Sequence, residues 1–150
     1  MLDLEKTFKD QKKLHKRYIL QMLKVAMDQF QKQPTLVDLT VPDNGLVLDK
    51  KPSFTYVLNI FRKITVCGDT HGQYYDLCNI FALNGQPSED NPYLFNGDFV
   101  DRGSWGLEVF MTLLGWYLHD PKCMYLTRGN HETKSMNELY GFEGEVKHKG

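Results

Sequence analysis

Short apolar runs alternate with amphipathic segments along the second half of the chain. Three β-prone runs predict buried strands, at residues 64–67, 93–95 and 124–126. Apolar residues at helical spacing predict helices between them and after them, at residues 74–83, 105–118 and from 137 to 140. Strands that alternate with helices in this way predict a parallel α/β sheet. The closing residues 143–150 are expected to form a polar tail.

The pattern before the first strand is different. Residues 4–33 predict one basic amphipathic helix that Pro34 ends, and its apolar stripe consists of Leu14, Tyr18, Met22 and Val25. Such a helix could bind a calmodulin-like partner or a membrane surface. We favour the simpler interpretation, in which a solvated helix packs on the main domain.

The segment between this helix and the first strand is less regular. Residues 36–41 alternate apolar and polar side chains, which indicates a short strand or an extended lead-in. Residues 46–63 carry two apolar runs around a Lys-Lys-Pro sequence, and the pattern assigns them to a loop with strand pieces.

Bulk composition narrows the class of protein. A length of 150 residues with 41% hydrophobic and 25% charged residues is typical of one globular domain. The net charge of −1 gives no reason to expect a nucleic-acid or membrane partner. Three cysteines without a CxxC pair indicate free thiols in a reducing compartment, so we expect the cytoplasm, with the nucleus as an alternative.

Three glycine-flanked polar clusters follow the three predicted strands. They are Gly68-Asp69-Thr70-His71-Gly72, Gly97-Asp98-Phe99-Val100-Asp101-Arg102-Gly103 and Gly129-Asn130-His131-Glu132. Ligands of parallel sheets bind beyond the carboxyl ends of the strands, so the side chains of these clusters should converge there.

The chemistry of the clusters indicates a metal site. Crowded carboxylates need a compensating cation, and oxygen and imidazole ligands without cysteine suit manganese, magnesium, iron or zinc. A single Gly-Asp or Asn-His pair is more often a turn, but three such clusters after three strands favour a site. Gly68, Gly97 and Gly129 are expected where the backbone turns sharply beside a ligand.

The three clusters resemble the signature motifs of the phosphoprotein phosphatase family of serine/threonine phosphatases. Flanking stretches such as Tyr140-Gly141-Phe142-Glu143-Gly144-Glu145-Val146 resemble the type-five branch of that family. The resemblance implies a metallophosphoesterase-like α/β fold, of which this chain supplies the parallel βαβαβ half of an α/β/β/α sandwich. Residues 1–150 would then be a partial catalytic domain, with an insertion at 46–63 and the metal-site half at 64–150.

The resemblance also implies two divalent metal ions, which would be manganese, or iron, zinc or magnesium. Asp69, His71 and Asp98 would hold the first ion, Asp98 would bridge to the second, and Asn130 would bind the second. Two further histidine ligands of the second ion belong to a part of the family domain beyond residue 150, so we expect the second site to be incomplete in this chain.

The remaining motif residues receive catalytic roles from the same resemblance. Arg102 and Asn130 would bind the substrate phosphate. His131 would protonate the leaving serine or threonine oxygen, oriented by the carboxylate of Asp101. Glu132 is assigned only a supporting role.

The expected partners are phosphoprotein substrates, with no nucleic acid and no membrane. Chaperone-type partners belong to the full-length family, but their helical-repeat domain is expected to be absent here.

Two other functions are alternatives to protein dephosphorylation. One is a phosphodiesterase or nucleotide hydrolase, which the sequence Val100-Asp101-Arg102-Gly103 disfavours. The other is a catalytically incomplete fragment that binds metal or partners without turnover.

Overall fold

The computed structural model describes residues 1–39 and 63–149. Three strands form a parallel sheet in the order β1-β2-β3, namely β1 (Thr65–Cys67), β2 (Tyr93–Phe95) and β3 (Met124–Leu126). The described helices are α1 (Leu2–Lys9), α2 (Lys16–Phe30), α3 (Tyr74–Asn84), α4 (Gly106–His119), α5 (Lys134–Tyr140) and α6 (Phe142–Lys149). The predicted parallel βαβαβ unit is confirmed, because α3 and α4 connect the successive strands.

Helix α4 lies at the centre of the hydrophobic core. It packs against β3 and against four other helices, α1, α2, α3 and α6. Met111 and Leu114 of the predicted apolar face are buried, whereas Leu107 and Phe110 are only partly buried. Residues on other sides of the helix are buried as well, which is the pattern of a helix covered all round.

The two faces of the sheet differ in burial. Tyr93, Phe95 and Met124 are buried on one face. On the other face Val66 and Leu94 lie in register, and Val66 is 66% exposed. A parallel sheet normally has both faces covered. Within the described residues, the exposure of Val66 fits the predicted half of a sandwich.

The prediction of one N-terminal helix over residues 4–33 is wrong. The chain forms α1 and α2, with a break in which Gln11 has a φ of 55°. Helix α2 restarts after His15, whose Nδ1 accepts a hydrogen bond from the Arg17 N–H at 3.2 Å. No proline or glycine marks this break, so the sequence pattern carries no signal for it.

The predicted apolar stripe is confirmed for two of its four residues, since Leu14 and Met22 pack against the core. Tyr18 is 57% exposed and Val25 is exposed, whereas Ala26 is buried and Ile19 packs against the core. Apolar residues occupy several sides of this helix, so periodicity alone does not choose its buried face.

Packing of the N-terminal helices on the main domain is confirmed. The buried carboxylate of Glu5 accepts a hydrogen bond from the Trp116 indole N–H at 2.9 Å. The Tyr74 hydroxyl donates to the Glu5 carbonyl at 3.1 Å, and Phe8 packs edge-on against the Tyr74 ring. Buried carboxylates need such hydrogen-bond partners. Glu5 thus anchors α1 to both α3 and α4.

The expectation of a polar tail at 143–150 is wrong up to residue 149, because these residues form most of α6. The Glu145 carboxylate accepts hydrogen bonds from the Gly106 and Leu107 N–H groups at 3.1 and 2.8 Å. These are unsatisfied donors at the start of α4. Lys149 joins the cluster, since its Nζ lies 2.6 Å from Glu108 and 2.8 Å from Glu145. The apparently polar segment is therefore tied to the core helix.

Replacing Glu145 with alanine should lower the free energy of unfolding by about 1–2 kcal/mol, because two helix-terminal N–H groups lose their acceptor. Urea denaturation measures this change. Glu143→Ala on the same helix is the matched control, since Glu143 pairs with Lys147 at an exposed i,i+4 position and should change stability little. Equal effects of the two substitutions would contradict the capping role.

Several remaining expectations concern other parts of the chain. Residues 36–39 contain no strand, while residues 40–41 and 46–62 lie outside the described residues.

All three cysteines are free, and burial raises the pKa of the Cys123 thiol to about 12. Among the described residues, no helix combines the length and apolarity that crossing a membrane requires.

Candidate active site

The loops that follow β1 and β2 are joined to each other by backbone hydrogen bonds. The Thr70 and His71 N–H groups both donate to the Asp98 carbonyl, at 3.1 and 3.0 Å. The Gly103 N–H donates to the His71 carbonyl at 3.0 Å. The sheet therefore brings the first two clusters together at its carboxyl edge, as expected for parallel strands.

Asp69, His71 and Asp98 form a group with metal-ligand geometry. One ligand atom from each lies within 4.8 Å of the other two. The three side chains come from the loops after β1 and β2. Asp69 is exposed and the other two are partly buried, so the group is open to solvent on one side.

The hydrogen bonding of His71 fits a metal at this place. Its Nδ1 lies 2.9 Å from the Val100 carbonyl, which can only accept, so Nδ1 carries the proton. In the neutral imidazole Nε2 then presents a lone pair, and it lies 3.7 Å from the Asp69 carboxylate. A lone pair and a carboxylate that face each other are complementary to a cation. A carbonyl that fixes the tautomer of a histidine is also a common feature of metal sites.

Glu132 connects the second and third clusters. Its carboxylate accepts hydrogen bonds from the backbone N–H groups of Asp98, Phe99 and Gly129, at 2.8, 2.7 and 2.9 Å. A second link joins the same two clusters, because Asp98 Oδ1 accepts a hydrogen bond from the His131 N–H at 2.9 Å. The supporting role expected of Glu132 is thus structural, since it fixes the loop that carries Asp98.

Asp101 and His131 form a buried pair, with 1% and 2% of each residue exposed. The Nδ1 of His131 lies 3.0 Å from Oδ2 of Asp101. Because the carboxylate is an acceptor, Nδ1 carries the proton and Nε2 is the atom directed to the site. Arg102 Nη2 lies 3.5 Å from this Nε2. The rings of His71 and His131 meet edge-on at 4.7 Å, which places the pair beside the metal-ligand group.

Arg102 and Asn130 are exposed, in contrast to the buried pair. Arg102 contacts His131 through one guanidinium nitrogen. Asn130 directly precedes His131 in the third cluster, and its carbonyl accepts from the Thr133 hydroxyl at 2.8 Å. The structure thus brings together Asp69, His71 and Asp98 as one group and Asp101, Arg102 and His131 as another beside it.

Close backbone contacts explain two of the three glycines. A side chain at Gly97 would collide with Gly129, and one at Gly129 would collide with Asp98. A Cβ at Gly68 would meet no atom within 4 Å, so close packing does not explain this glycine.

Backbone conformation marks the same loops. Five non-glycine residues of the described chain have positive φ, and four of them are His71, Asp98, Asp101 and Arg102. Such conformations are uncommon for non-glycine residues and cluster at functional sites.

Two residues beside the site were missed by the sequence reasoning. Asn137 Nδ2 donates to Asp101 Oδ2 at 3.3 Å, and the Tyr140 ring packs against the His131 ring at 5.0 Å. Both lie on α5, outside the three clusters, and helical periodicity gives no signal for either contact.

The parallel sheet, with carboxylates, imidazoles and an arginine gathered at its carboxyl edge, fits the metallophosphoesterase class of fold and site. Residues 62–149 match the family model described as calcineurin-like phosphoesterase. The match covers more than half of the 150 residues, and the chain belongs to this family. Residues 1–38, which include α1 and α2, match a second model described as PPP5 TPR repeat region.

Two similar proteins from a plant and from human carry the same name. The chain is 53% identical over 142 residues to "Serine/threonine-protein phosphatase 5" of Solanum lycopersicum, covering 95% of this chain and 22% of that protein. It is 52% identical over 149 residues to the Homo sapiens protein of that name, covering 99% of this chain and 26% of that protein. The chain therefore spans about a quarter of the length of these relatives.

A solved structure supports the same relationship. It is titled "Structure of Protein serine/threonine phosphatase from Saccharomyces cerevisiae with similarity to human phosphatase PP5". It superposes with a TM-score of 0.79 at 40% identity, covering 95% of this chain and 40% of that chain. The metallophosphoesterase fold expected from the sequence is thus confirmed.

Proposed function

We propose that the chain hydrolyses phosphoserine and phosphothreonine in proteins. The observation that carries this proposal is the placement of the Asp101–His131 pair and Arg102 beside the group formed by Asp69, His71 and Asp98. The similar proteins named serine/threonine-protein phosphatase support the choice of substrate class.

The residues present fit divalent metal ions. Asp69, His71 and Asp98 would hold one ion, and Asn130 is proposed to help hold a second, with manganese, iron, zinc or magnesium compatible with these ligands. When bound, the ions supply positive charge that neutralises the phosphate and lowers the pKa of the attacking water.

His131 is proposed as the proton donor to the leaving oxygen. Its Nδ1–H is directed to the buried Asp101 carboxylate, so Nε2 is the atom available to the substrate. Asp101 accepts the Nδ1 proton in a hydrogen bond and so holds the ring in one orientation. The pair therefore has the geometry of a general acid with its orienting partner.

Arg102 is proposed to hold phosphate oxygens. Its guanidinium is exposed and lies next to His131 Nε2, so a phosphate bound by Arg102 would present its leaving oxygen near the acid. Planar guanidinium groups suit phosphate because they donate two parallel hydrogen bonds. Asn130 is proposed as a second phosphate contact.

An open groove beside Arg102 provides room for a peptide. It has a volume of about 480 Å³, and its lining includes Arg102, Trp105 and Tyr140. A groove of this size is within the usual range of ligand sites.

The test is release of phosphate from a phosphoserine peptide by the purified chain with Mn²⁺. We expect turnover that depends on the metal and disappears in Asp98→Asn. Glu89→Gln, which changes an exposed carboxylate paired with Lys122, is the control. A folded chain that binds Mn²⁺ but releases no phosphate would contradict the proposal and favour metal binding without turnover.

A further inference from the structure

We propose that Asn137 is a positioning residue for the Asp101–His131 pair. Its side-chain amide donates to Asp101 Oδ2 at 3.3 Å and to the His131 carbonyl at 2.6 Å. Both partners are acceptors, which fixes the orientation of the amide. One side chain thus contacts both members of the pair. The proposal rests on the role of His131 as proton donor in the proposed function.

The Asp101 carboxylate is held by three donors. Oδ1 accepts from the Phe142 N–H at 2.9 Å, while Oδ2 accepts from His131 Nδ1–H and from Asn137. The torsion that rotates a carboxylate has no strongly preferred value, so its orientation depends on these partners. Asn137 and the Phe142 N–H together keep Oδ2 directed at the imidazole.

The second hydrogen bond acts on the backbone of His131. The short contact between the Asn137 amide and the His131 carbonyl fixes the main chain from which the imidazole extends. The His131 N–H is held as well, because it donates to Asp98 Oδ1. Asn137 therefore restricts the imidazole from the backbone side and from the carboxylate side at once.

Helix α5 gives Asn137 a fixed base. Its N–H donates to the Thr133 carbonyl at 3.0 Å, within the first turn of the helix. Asparagine is among the poorer helix formers, because its side chain competes for backbone hydrogen bonds. At this position that side chain is committed to the catalytic pair. The local cost is thus compatible with a role in positioning.

The test measures by NMR how fast the His131 Nδ1–H exchanges with water. In the wild-type chain, the His131 Nδ1–H should give a downfield resonance that exchanges slowly with water. Asn137→Ala removes the two hydrogen bonds that hold the pair and should accelerate this exchange by about tenfold. Ser135→Ala, an exposed change on the same helix, should leave the exchange unchanged.

A purely structural role for Asn137 would give a different result. Asn137→Ala would then lower the unfolding temperature but leave the exchange of the Nδ1–H at its wild-type rate, and this outcome would overturn the proposal. If Asn137→Ala and Asn137→Ser both fail to fold, a measurement on the wild-type chain tests the proposal instead. Its Asn137 amide protons should show a nuclear Overhauser effect to the His131 Nδ1–H, and absence of this effect would overturn the proposal.

If the chain dephosphorylates a peptide substrate, its kinetics give an independent test of the positioning role. Asn137→Ala should lower kcat on a phosphoserine peptide by about tenfold, in the range found for residues that support a functional ligand, with KM unchanged. The NMR result requires neither substrate nor metal. A chain that fails to dephosphorylate peptides would therefore contradict the proposed function while leaving the positioning result intact.

Discussion

Replacing His131 with asparagine should lower turnover of a phosphoserine peptide by about 10²–10⁴-fold, the usual contribution of a positioned general acid. Asparagine can still donate to Asp101, so the buried carboxylate keeps a partner while Nε2 is lost. An aryl phosphate has a leaving group that needs little protonation. Its turnover should therefore fall far less, and the ratio of the two kcat values is the quantity to measure.

His119→Asn is the control for this substitution, because His119 is exposed at the end of α4. Thermal unfolding of each variant shows whether the fold survives. Equal losses on the peptide and on the aryl phosphate would contradict the role of His131 as proton donor.

Replacing Gly129 with alanine should destabilise the chain by about 3 kcal/mol, the upper end of the cost of overpacking a close contact. The new methyl group would overlap the Asp98 carboxylate and backbone N–H. Neither atom can move freely, since Glu132 accepts from the Asp98 N–H and Asp98 Oδ1 accepts from His131. Displacement of Asp98 should also weaken metal binding.

Gly68→Ala is the matched control for Gly129→Ala. It adds the same methyl group in the first cluster, where the structure leaves open space. Urea denaturation should show a small change for Gly68→Ala and a large one for Gly129→Ala. If both variants are as stable as the wild type, the tight contact between the second and third clusters is not real.

The sheet and its connecting helices could be predicted because their signals are local. Each strand is a short apolar run, and Gly85 ends α3 with a positive φ of 89°, as a glycine after a helix commonly does. The convergence of the three clusters followed from the parallel topology alone. These features need no knowledge of side-chain packing.

The errors arise where tertiary contacts decide the structure. Helix α6 contains Gly144 and few apolar residues, and it is held by the contacts of Glu145 and Lys149 with α4. The buried face of α2 depends on what it packs against, because its apolar residues are spread around the helix. Local propensity carries neither piece of information.

The candidate site also contains features that the sequence predicts and features that it does not. The residue types of the three clusters and their expected convergence came from sequence, and so did the pairing of Asp101 with His131, through the resemblance. The contact of Asn137 with Asp101 and two of the three hydrogen bonds accepted by Glu132 did not, because they join residues 33 to 36 positions apart through side-chain geometry. Residues that support a site are thus harder to recognise than those that form it.

The central claim is that the loops after β1 and β2 form a divalent-metal site from Asp69, His71 and Asp98. Calorimetric titration of the wild-type chain and of Asp98→Asn with Mn²⁺ tests it most directly. We expect saturable binding by the wild-type chain and its loss in the variant, with both proteins folded. A folded wild-type chain that does not bind Mn²⁺, or an Asp98→Asn variant that binds it equally well, would contradict the claim.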